Sequence, residues 1–154
     1  LAGCAIDVFP VEPSSNKDKF TSPLQGVANV ILTPHIGGST EEAQFSIGNE
    51  VAESFRRYLK LGSSSGAVNF PNVELSVKPG TSRILNVHRN EPGVLGEINS
   101  INSKMGANIE AQYLSTDSQI GYLVMDVHFD KVLAQNLADD IQKLSRSIRT
   151  RMVF

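Results

Sequence analysis

The chain has 154 residues, of which 40% are hydrophobic and 19% charged. This is enough apolar material for one or two packed domains and excludes wholesale disorder. The formal net charge of -2 gives no basic excess for binding a phosphate polymer, no apolar run approaches the length of a membrane span, and one cysteine cannot form an internal disulfide. We therefore expect a cytoplasmic protein that binds neither nucleic acid nor membrane and holds no metal site.

The first predicted element is a buried strand at the start of the chain. Residues 1–9 form an almost uninterrupted apolar run, which is typical of a strand covered on both faces in a parallel sheet. Such a strand needs neighbours, so we expect this chain to be the C-terminal part of a larger protein. A long polar loop over residues 10–28 follows, and residues 29–32 then predict a second short strand that ends before Pro34.

A long amphipathic helix is predicted next. Ser39 and Glu42 have the spacing of a capping box, in which each satisfies a free N–H group at the start of the helix. Gly62 is a natural residue just past its end. Between them an apolar residue recurs every four positions, at Ala43, Ile47, Val51, Phe55 and Leu59.

The remaining chain alternates regularly between strand and helix patterns. A hinge is predicted at Lys78-Pro79-Gly80, and the order β-α-β-β-α-β that follows is typical of ferredoxin-like domains. Pro92 is predicted as the first residue of its first helix, and Gly106 as the residue that ends it. We interpret four basic residues near the end as a solvated edge: Lys143, Arg146, Arg149 and Arg151.

His35 is the leading candidate for chemistry. It follows Pro34 at the end of a predicted parallel strand, where open α/β sheets place their ligands. Imidazole titrates near neutral pH, which suits a group that takes and returns a proton in general acid–base catalysis. Glu12 would orient that imidazole and raise its pKa, and Asp7 is a strand-end carboxylate that needs a partner. Each also has a plainer interpretation, as a packed histidine, a solvated loop charge and a structural aspartate.

Four motifs in this order resemble the D-isomer-specific 2-hydroxyacid dehydrogenases. They are Ala5-Ile6-Asp7-Val8-Phe9-Pro10 with Glu12-Pro13, the stretch from Asn29 to Thr40 around His35, Ala67-Val68-Asn69-Phe70-Pro71, and the stretch from His88 to Leu95, which resembles the start of an ACT domain. The resemblance implies an α/β fold in which the C-terminal end of a Rossmann-like dehydrogenase domain precedes a ferredoxin-like βαββαβ ACT domain. More narrowly, it implies oxidation of 3-phospho-D-glycerate to 3-phosphohydroxypyruvate in L-serine biosynthesis.

The resemblance also implies roles for individual residues. His35 would be the catalytic acid/base and Glu12 its partner. The cofactor would be NAD, bordered by Asp7 and by the backbone of His35, Ile36, Gly37 and Gly38. Residues 1–37 would then end the NAD-binding domain, residues 38–78 would return to the substrate-binding domain, and residues 79–154 would form the ACT regulatory domain.

In the ACT part the resemblance implies a site for L-serine as an inhibitor. His88 and Asn90 would come from one subunit and Asn108 from its neighbour, in a homo-oligomer joined through ACT domains, which we expect to be a tetramer. Arg89 and Glu91 depart from a common family pattern. By themselves, Asn90 would be an ordinary helix N-cap and Asn108 a turn residue.

Two expected features are absent from this sequence. It contains no Gly-x-Gly-x-x-Gly fingerprint, and the family's substrate-binding arginine is expected upstream of Asp7. We therefore expect this chain alone to be inactive. Two alternatives stay open: an amino-acid-binding ACT module without catalysis, and another 2-hydroxyacid dehydrogenase such as a glyoxylate or hydroxypyruvate reductase, against which the ACT part argues.

Overall fold

The computed structural model describes residues 1–15 and 17–154, so that Asn16, in the predicted long loop, lies outside the described residues. The chain forms two compact units, Leu1–Glu50 and Val51–Phe154. The sequence placed its main boundary at the Lys78-Pro79-Gly80 hinge. In the structure the division instead falls within the long helix, because the segment after that helix packs on the C-terminal sheet.

The first unit contains a small parallel sheet. Strand β1 (Cys4–Ile6) pairs with strand β2 (Val30–Leu32), with Cys4 opposite Val30 and Ile6 opposite Leu32. The two predicted strands are therefore present, although shorter than the apolar runs. The expected burial on both faces is not seen within this unit, since both strands carry exposed and half-buried residues and two strands cannot cover a sheet face.

The long helix α1 (Glu41–Leu61) follows. The N–H of Ala43 donates to Thr40 Oγ1 at 3.2 Å, so Thr40 caps the helix and the prediction of Ser39 was wrong by one residue. Gly62 has a φ of 73°, which confirms it as the residue that ends α1. The apolar side chains of α1 are not buried: Phe45, Ile47, Val51, Phe55 and Leu59 are between 48% and 73% exposed.

The second unit contains a four-stranded antiparallel sheet and two further helices. Its elements are β3 (Ser82–Arg89), α2 (Val94–Met105), β4 (Asn108–Thr116), β5 (Ile120–His128), α3 (Lys131–Gln142) and β6 (Ser147–Met152). The strand order is β4-β5-β3-β6, which confirms the predicted β-α-β-β-α-β arrangement. His88 and Asn90, the residues predicted to bind an effector, thus lie at the end of a central strand.

Both faces of this sheet are covered. One face packs against α2 and α3 through a core that includes Ile84, Val94, Ile98, Met125, Leu137 and Ile141. On the other face, Val73 is buried with Leu85, Tyr122 and Val124, and Tyr58 of α1 packs against them. Val73 lies in the connecting segment, residues 62–81, which joins α1 to β3. The hydroxyl of Tyr122 donates to the carbonyl of Gly62 at 2.6 Å. The end of α1 and the connecting segment therefore belong to the same packed body as the sheet.

Two details of the second unit differ from the prediction. Helix α2 begins at Val94 rather than Pro92, because Gly93 has a φ of 95° and stands in the left-handed conformation at the N-cap. The basic edge is not simply solvated. Arg146 pairs with Glu91 and Glu97, each at 2.8 Å, and Arg151 donates to the backbone carbonyls of α1.

In the part of the chain that the structure describes, no helix is long and apolar enough to span a membrane.

Candidate functional site

The parallel strands of the first unit bring three polar residues together. Asp7 follows β1, and Thr33 and His35 follow β2, so that all three lie at the same edge of the small sheet. One carboxylate oxygen of Asp7, Oδ1, accepts from Thr33 Oγ1 at 2.5 Å and from the backbone N–H of His35 at 3.0 Å. The Thr33 hydrogen bond is the main reason that the pKa of Asp7 lies below its usual value.

His35 is held in an unusual backbone conformation by this arrangement. Its φ of 52° places it in the left-handed region, which side-chain-bearing residues rarely adopt. The N–H bond to Asp7 fixes that conformation, which sets the direction in which the imidazole leaves the backbone. Asp7 is thus a residue that positions His35, whatever else contacts it.

Glu12 pairs with the imidazole of His35. Its two oxygens lie 3.0 and 2.9 Å from His35 Nδ1, and its Oε1 also accepts from the backbone N–H of Phe9 at 2.9 Å. The Phe9 bond, followed by the His35 bond, lowers the pKa of Glu12. In turn, the hydrogen bond from Glu12 and its charge raise the pKa of His35.

This pair leaves one ring nitrogen of His35 available. A carboxylate can only accept, so Nδ1 carries a hydrogen and Nε2 is the ring nitrogen with a lone pair left for a ligand. Among the described residues Nε2 has no hydrogen-bond partner. The side chains of His35 and Glu12 are 46% and 34% exposed, and they border a cavity of about 510 Å³ that is also lined by Ser14, Ser15 and Asp18.

The residues expected to border the cofactor lie immediately after His35. Ile36, Gly37 and Gly38 are exposed, and a Cβ added at Gly37 would meet nothing within 4 Å. A flat molecule could approach this backbone closely, which fits the nicotinamide end of NAD. A site for its pyrophosphate is not among these residues. Within residues 1–15 and 17–154 no cluster of His, Cys, Asp and Glu could hold a metal ion.

His88 and Asn90 lie at one end of the C-terminal sheet. His88 is only 3% exposed, and its Nδ1 lies 2.8 Å from Asn86 Oδ1. Burial lowers its pKa. Asn90 is exposed and donates through Nδ2 to the carbonyl of Asp117 at 2.7 Å, which leaves its amide oxygen free to accept from a ligand. Asn90 is therefore not an N-cap of α2, whose N-cap residue is Gly93.

Asn108 lies at the other end of the same sheet. It pairs with His128 at the end of β5, whereas His88 pairs with Gly121 near the start of β5. Its side chain donates to Glu110 at 2.8 Å. The structure therefore brings His88 and Asn90 together and does not bring Asn108 to them, so a site with all three residues requires a second subunit.

Sequence reasoning missed three residues that shape these sites. Thr33 was not singled out, although it stands two residues before His35 where a strand-end hydroxyl can reach a neighbouring strand. The backbone N–H of Phe9 gives no sequence signal at all. Asn86 lies two residues before His88 in the same strand, which places both side chains on one face of the sheet. That spacing was the available signal.

Comparisons with known proteins show which families and structures this chain is similar to. Residues 84–149 match the family model described as AHAS small subunit-like ACT domain. The chain is 49% identical over 154 residues to the D-3-phosphoglycerate dehydrogenases of Escherichia coli (strain K12) and Dictyostelium discoideum. The alignments cover 100% of this chain and 37% of each relative, so it spans little more than a third of their length. The crystal structure of the ACT domain from GTP pyrophosphokinase of Chlorobium tepidum covers 47% of this chain and 95% of that chain, with 18% identity and a TM-score of 0.43.

Proposed function

We propose that this chain, a homologue of the C-terminal 37% of D-3-phosphoglycerate dehydrogenases, supplies the acid/base histidine and the regulatory domain of such an enzyme. The reaction would be oxidation of 3-phospho-D-glycerate to 3-phosphohydroxypyruvate in L-serine biosynthesis. The observation that carries the proposal is the His35–Glu12 pair, at 2.9 Å, beside an open cavity at the ends of parallel strands.

The proton chemistry follows from this geometry. Asp7 and the exposed backbone from His35 to Gly38 would border NAD, which when bound would supply the acceptor for the hydride on the carbon that bears the hydroxyl group. His35 Nε2 takes the proton of that hydroxyl, so that the C–O single bond becomes a carbonyl and the imidazole becomes an imidazolium. Glu12 stabilises the imidazolium through Nδ1. Asp7 keeps the backbone of His35 in place, so that Nε2 stays directed at the reacting group.

The C-terminal sheet would carry the regulation. We propose that L-serine binds between two ACT domains of a homo-oligomer, a tetramer. His88 and Asn90 of one subunit and Asn108 of a second subunit would contact it, with the serine carboxylate at the N–H groups that begin α2. The separation of Asn108 from the other two residues within one chain supports a shared site. Inhibition would then act by shifting populations rather than by competition at His35.

A crossed experiment on the full-length cytoplasmic enzyme tests both parts. We expect His35→Ala to lower kcat by ~10²–10⁴-fold while L-serine binding, measured by calorimetry, is unchanged. We expect Asn90→Ala and Asn108→Ala to abolish L-serine binding with kcat unchanged. Full kcat in His35→Ala would refute the catalytic role. If the wild-type protein binds L-serine but shows no dehydrogenase turnover, the alternative of an ACT module without catalysis is favoured.

A further inference from the structure

We propose that Asn86 holds His88 in the tautomer with its proton on Nδ1, so that His88 Nε2 is an acceptor that selects the hydroxyl group of the effector amino acid. The inference rests on the proposed effector function and specifies which ligand group meets which side chain. Asn86 would be a positioning residue, since it acts through His88 and does not itself contact the ligand.

Asn86 is the centre of a buried polar network. Its side chain is 1% exposed. Its Nδ2 donates to Ser147 Oγ at 2.8 Å and to Thr150 Oγ1 at 2.9 Å, and its Oδ1 faces His88 Nδ1 at 2.8 Å. Because both N–H bonds of the amide are used toward β6, only the amide oxygen is left for His88. An amide oxygen accepts, so His88 Nδ1 must carry the hydrogen.

The opposite orientation of the amide would satisfy fewer groups. In that orientation the amide oxygen would accept from both hydroxyls and the NH₂ group would face His88. The hydroxyls of Ser147 and Thr150 also lie 3.1 Å from each other, and that contact needs one of the two hydroxyl hydrogens. With both hydrogens directed at Asn86, the contact would have none. The orientation with Nδ2 toward the hydroxyls makes all three contacts, and we assign it on that ground.

The other ring nitrogen of His88 is free for a ligand. Nε2 has no hydrogen-bond partner among the described residues. Among the described residues, Asn102 Oδ1 is the side-chain nitrogen or oxygen atom that is both fully buried and without a partner. His88 Nε2 has no partner and is not in that class, so it is not fully buried. It lies above Gly121, where an added Cβ would be 2.3 Å away. The missing side chain at Gly121 thus leaves room for the ring at this position.

The burial of His88 decides which donor it accepts. A small hydroxy amino acid has two donor groups, the ammonium and the hydroxyl. Placing a charged ammonium beside a buried ring would cost more than placing a neutral hydroxyl there. Asn90, which is exposed and has a free amide oxygen, suits the ammonium. The carboxylate cannot bind at Nε2, because two acceptors repel. His88 would therefore distinguish L-serine from L-alanine.

The tautomer can be measured directly. In the chain labelled with ¹⁵N-histidine at neutral pH, long-range ¹H–¹⁵N spectra should show His88 with a protonated Nδ1 and an unprotonated Nε2. Asn86→Leu should abolish that preference, and Asn86→Asp, whose carboxylate also accepts from Nδ1, should keep Nδ1 protonated. His128, exposed at the end of β5, serves as the unchanged reference. A hydrogen on Nε2 in the wild-type chain, or an identical His88 spectrum in Asn86→Leu, would overturn the inference.

Calorimetry tests the ligand contact separately. Loss of one hydrogen bond to the hydroxyl should make L-alanine bind roughly tenfold more weakly than L-serine to the wild-type chain. In Asn86→Leu the two affinities should converge. Equal wild-type affinities would overturn the assignment of the hydroxyl to His88. Binding of neither amino acid would overturn the effector function and this ligand contact together, whereas the histidine spectra would still decide the role of Asn86.

Discussion

Glu12 determines how the imidazole of His35 titrates, although the two residues are far apart in sequence. The carboxylate accepts from the backbone of Phe9 as well as from His35, so its position does not depend on the ring alone. The loop between the strands therefore has a local structure that supports the pair. The role of each residue here is set by the residue it contacts.

Replacing Glu12 by Gln should lower the pKa of His35. The carboxylate raises that pKa by stabilising the imidazolium, and an amide carries no charge to do so. In an enzyme that oxidises an alcohol, the neutral imidazole is the active form, so the acid limb of the pH–rate profile should move to lower pH. In the isolated chain, an NMR titration of His35 measures the same change.

The matched control is Glu42→Gln. Glu42 is an exposed carboxylate at the start of α1, and it is not among the groups that shift the pKa of His35. It should leave the titration unchanged. If Glu12→Gln and Glu42→Gln titrate identically, Glu12 does not stabilise the imidazolium.

Gly121 is required for packing rather than for backbone conformation. An added Cβ would stand 2.3 Å from His88 Nε2, a contact that only displacement of the ring can relieve. Gly121→Ala should therefore destabilise the chain by about 1–3 kcal/mol in urea unfolding, as overpacked sites do. Gly96→Ala is the control, because Gly96 is exposed in α2 with nothing within 4 Å of an added Cβ, and it should stabilise by roughly 0.5–1 kcal/mol. If Gly121→Ala leaves the free energy of unfolding unchanged, the His88 ring is free to move away from the added methyl group.

At the scale of the elements, helix α1 shows that the residues that form a helix and the residues that bury its apolar face are specified separately. The periodic apolar residues of α1 predict the helix correctly, but its stripe is exposed within this chain. The cap at its start was misplaced by one residue, since Ser39 and Thr40 are both good capping residues and only the backbone path separates them.

Thr40→Ala and Ser39→Ala therefore form a pair that tests the cap. Removal of the Thr40 hydroxyl leaves the N–H of Ala43 without its partner, at an expected cost of ~0.5–2 kcal/mol. Hydrogen exchange of the Ala43 amide should accelerate accordingly in Thr40→Ala. In Ser39→Ala it should match the wild type. The reverse result would restore the capping box that the sequence predicted.

On the scale of the whole molecule, Arg83 joins parts of the second unit that are distant in sequence. Arg83 and Asp126 are both fully buried, and their ion pair measures 2.6 Å. The same guanidinium donates to the carbonyls of Leu61, Leu75 and Ser76, at 2.9, 2.9 and 3.0 Å. One side chain thus connects the end of α1 and the connecting segment to the sheet.

Removing this side chain should destabilise the whole second unit. Arg83→Met leaves the Asp126 carboxylate buried without its partner, which costs ~3–5 kcal/mol. The double variant Arg83→Met/Asp126→Leu removes both charges and should recover part of that loss in urea unfolding. Because the guanidinium also satisfies three carbonyls, recovery should be incomplete. A double variant as unstable as Arg83→Met would mean that the carbonyl contacts, rather than the ion pair, dominate.

Local patterns in the sequence determined much of this protein. Apolar periodicity predicted α1 and the β-α-β-β-α-β order, because a helix or strand must turn one regular face to a core. Gly62 and Gly106 predicted helix ends, because glycine adopts the left-handed conformation readily. Both take that conformation in the structure. The motifs around Glu12 and His35 predicted a carboxylate–imidazole pair that the structure brings to 2.9 Å.

Only the tertiary structure decided which side chains share a hydrogen-bond network. The tie between Asp7 and Thr33 depends on parallel pairing of two strands that are separated by a long loop. The network of Asn86 depends on β6 lying beside β3, and the burial of Arg83 depends on the connecting segment folding back on the sheet. Each of these arises from contacts between residues far apart in the chain, and such contacts leave no periodic pattern from which to predict them.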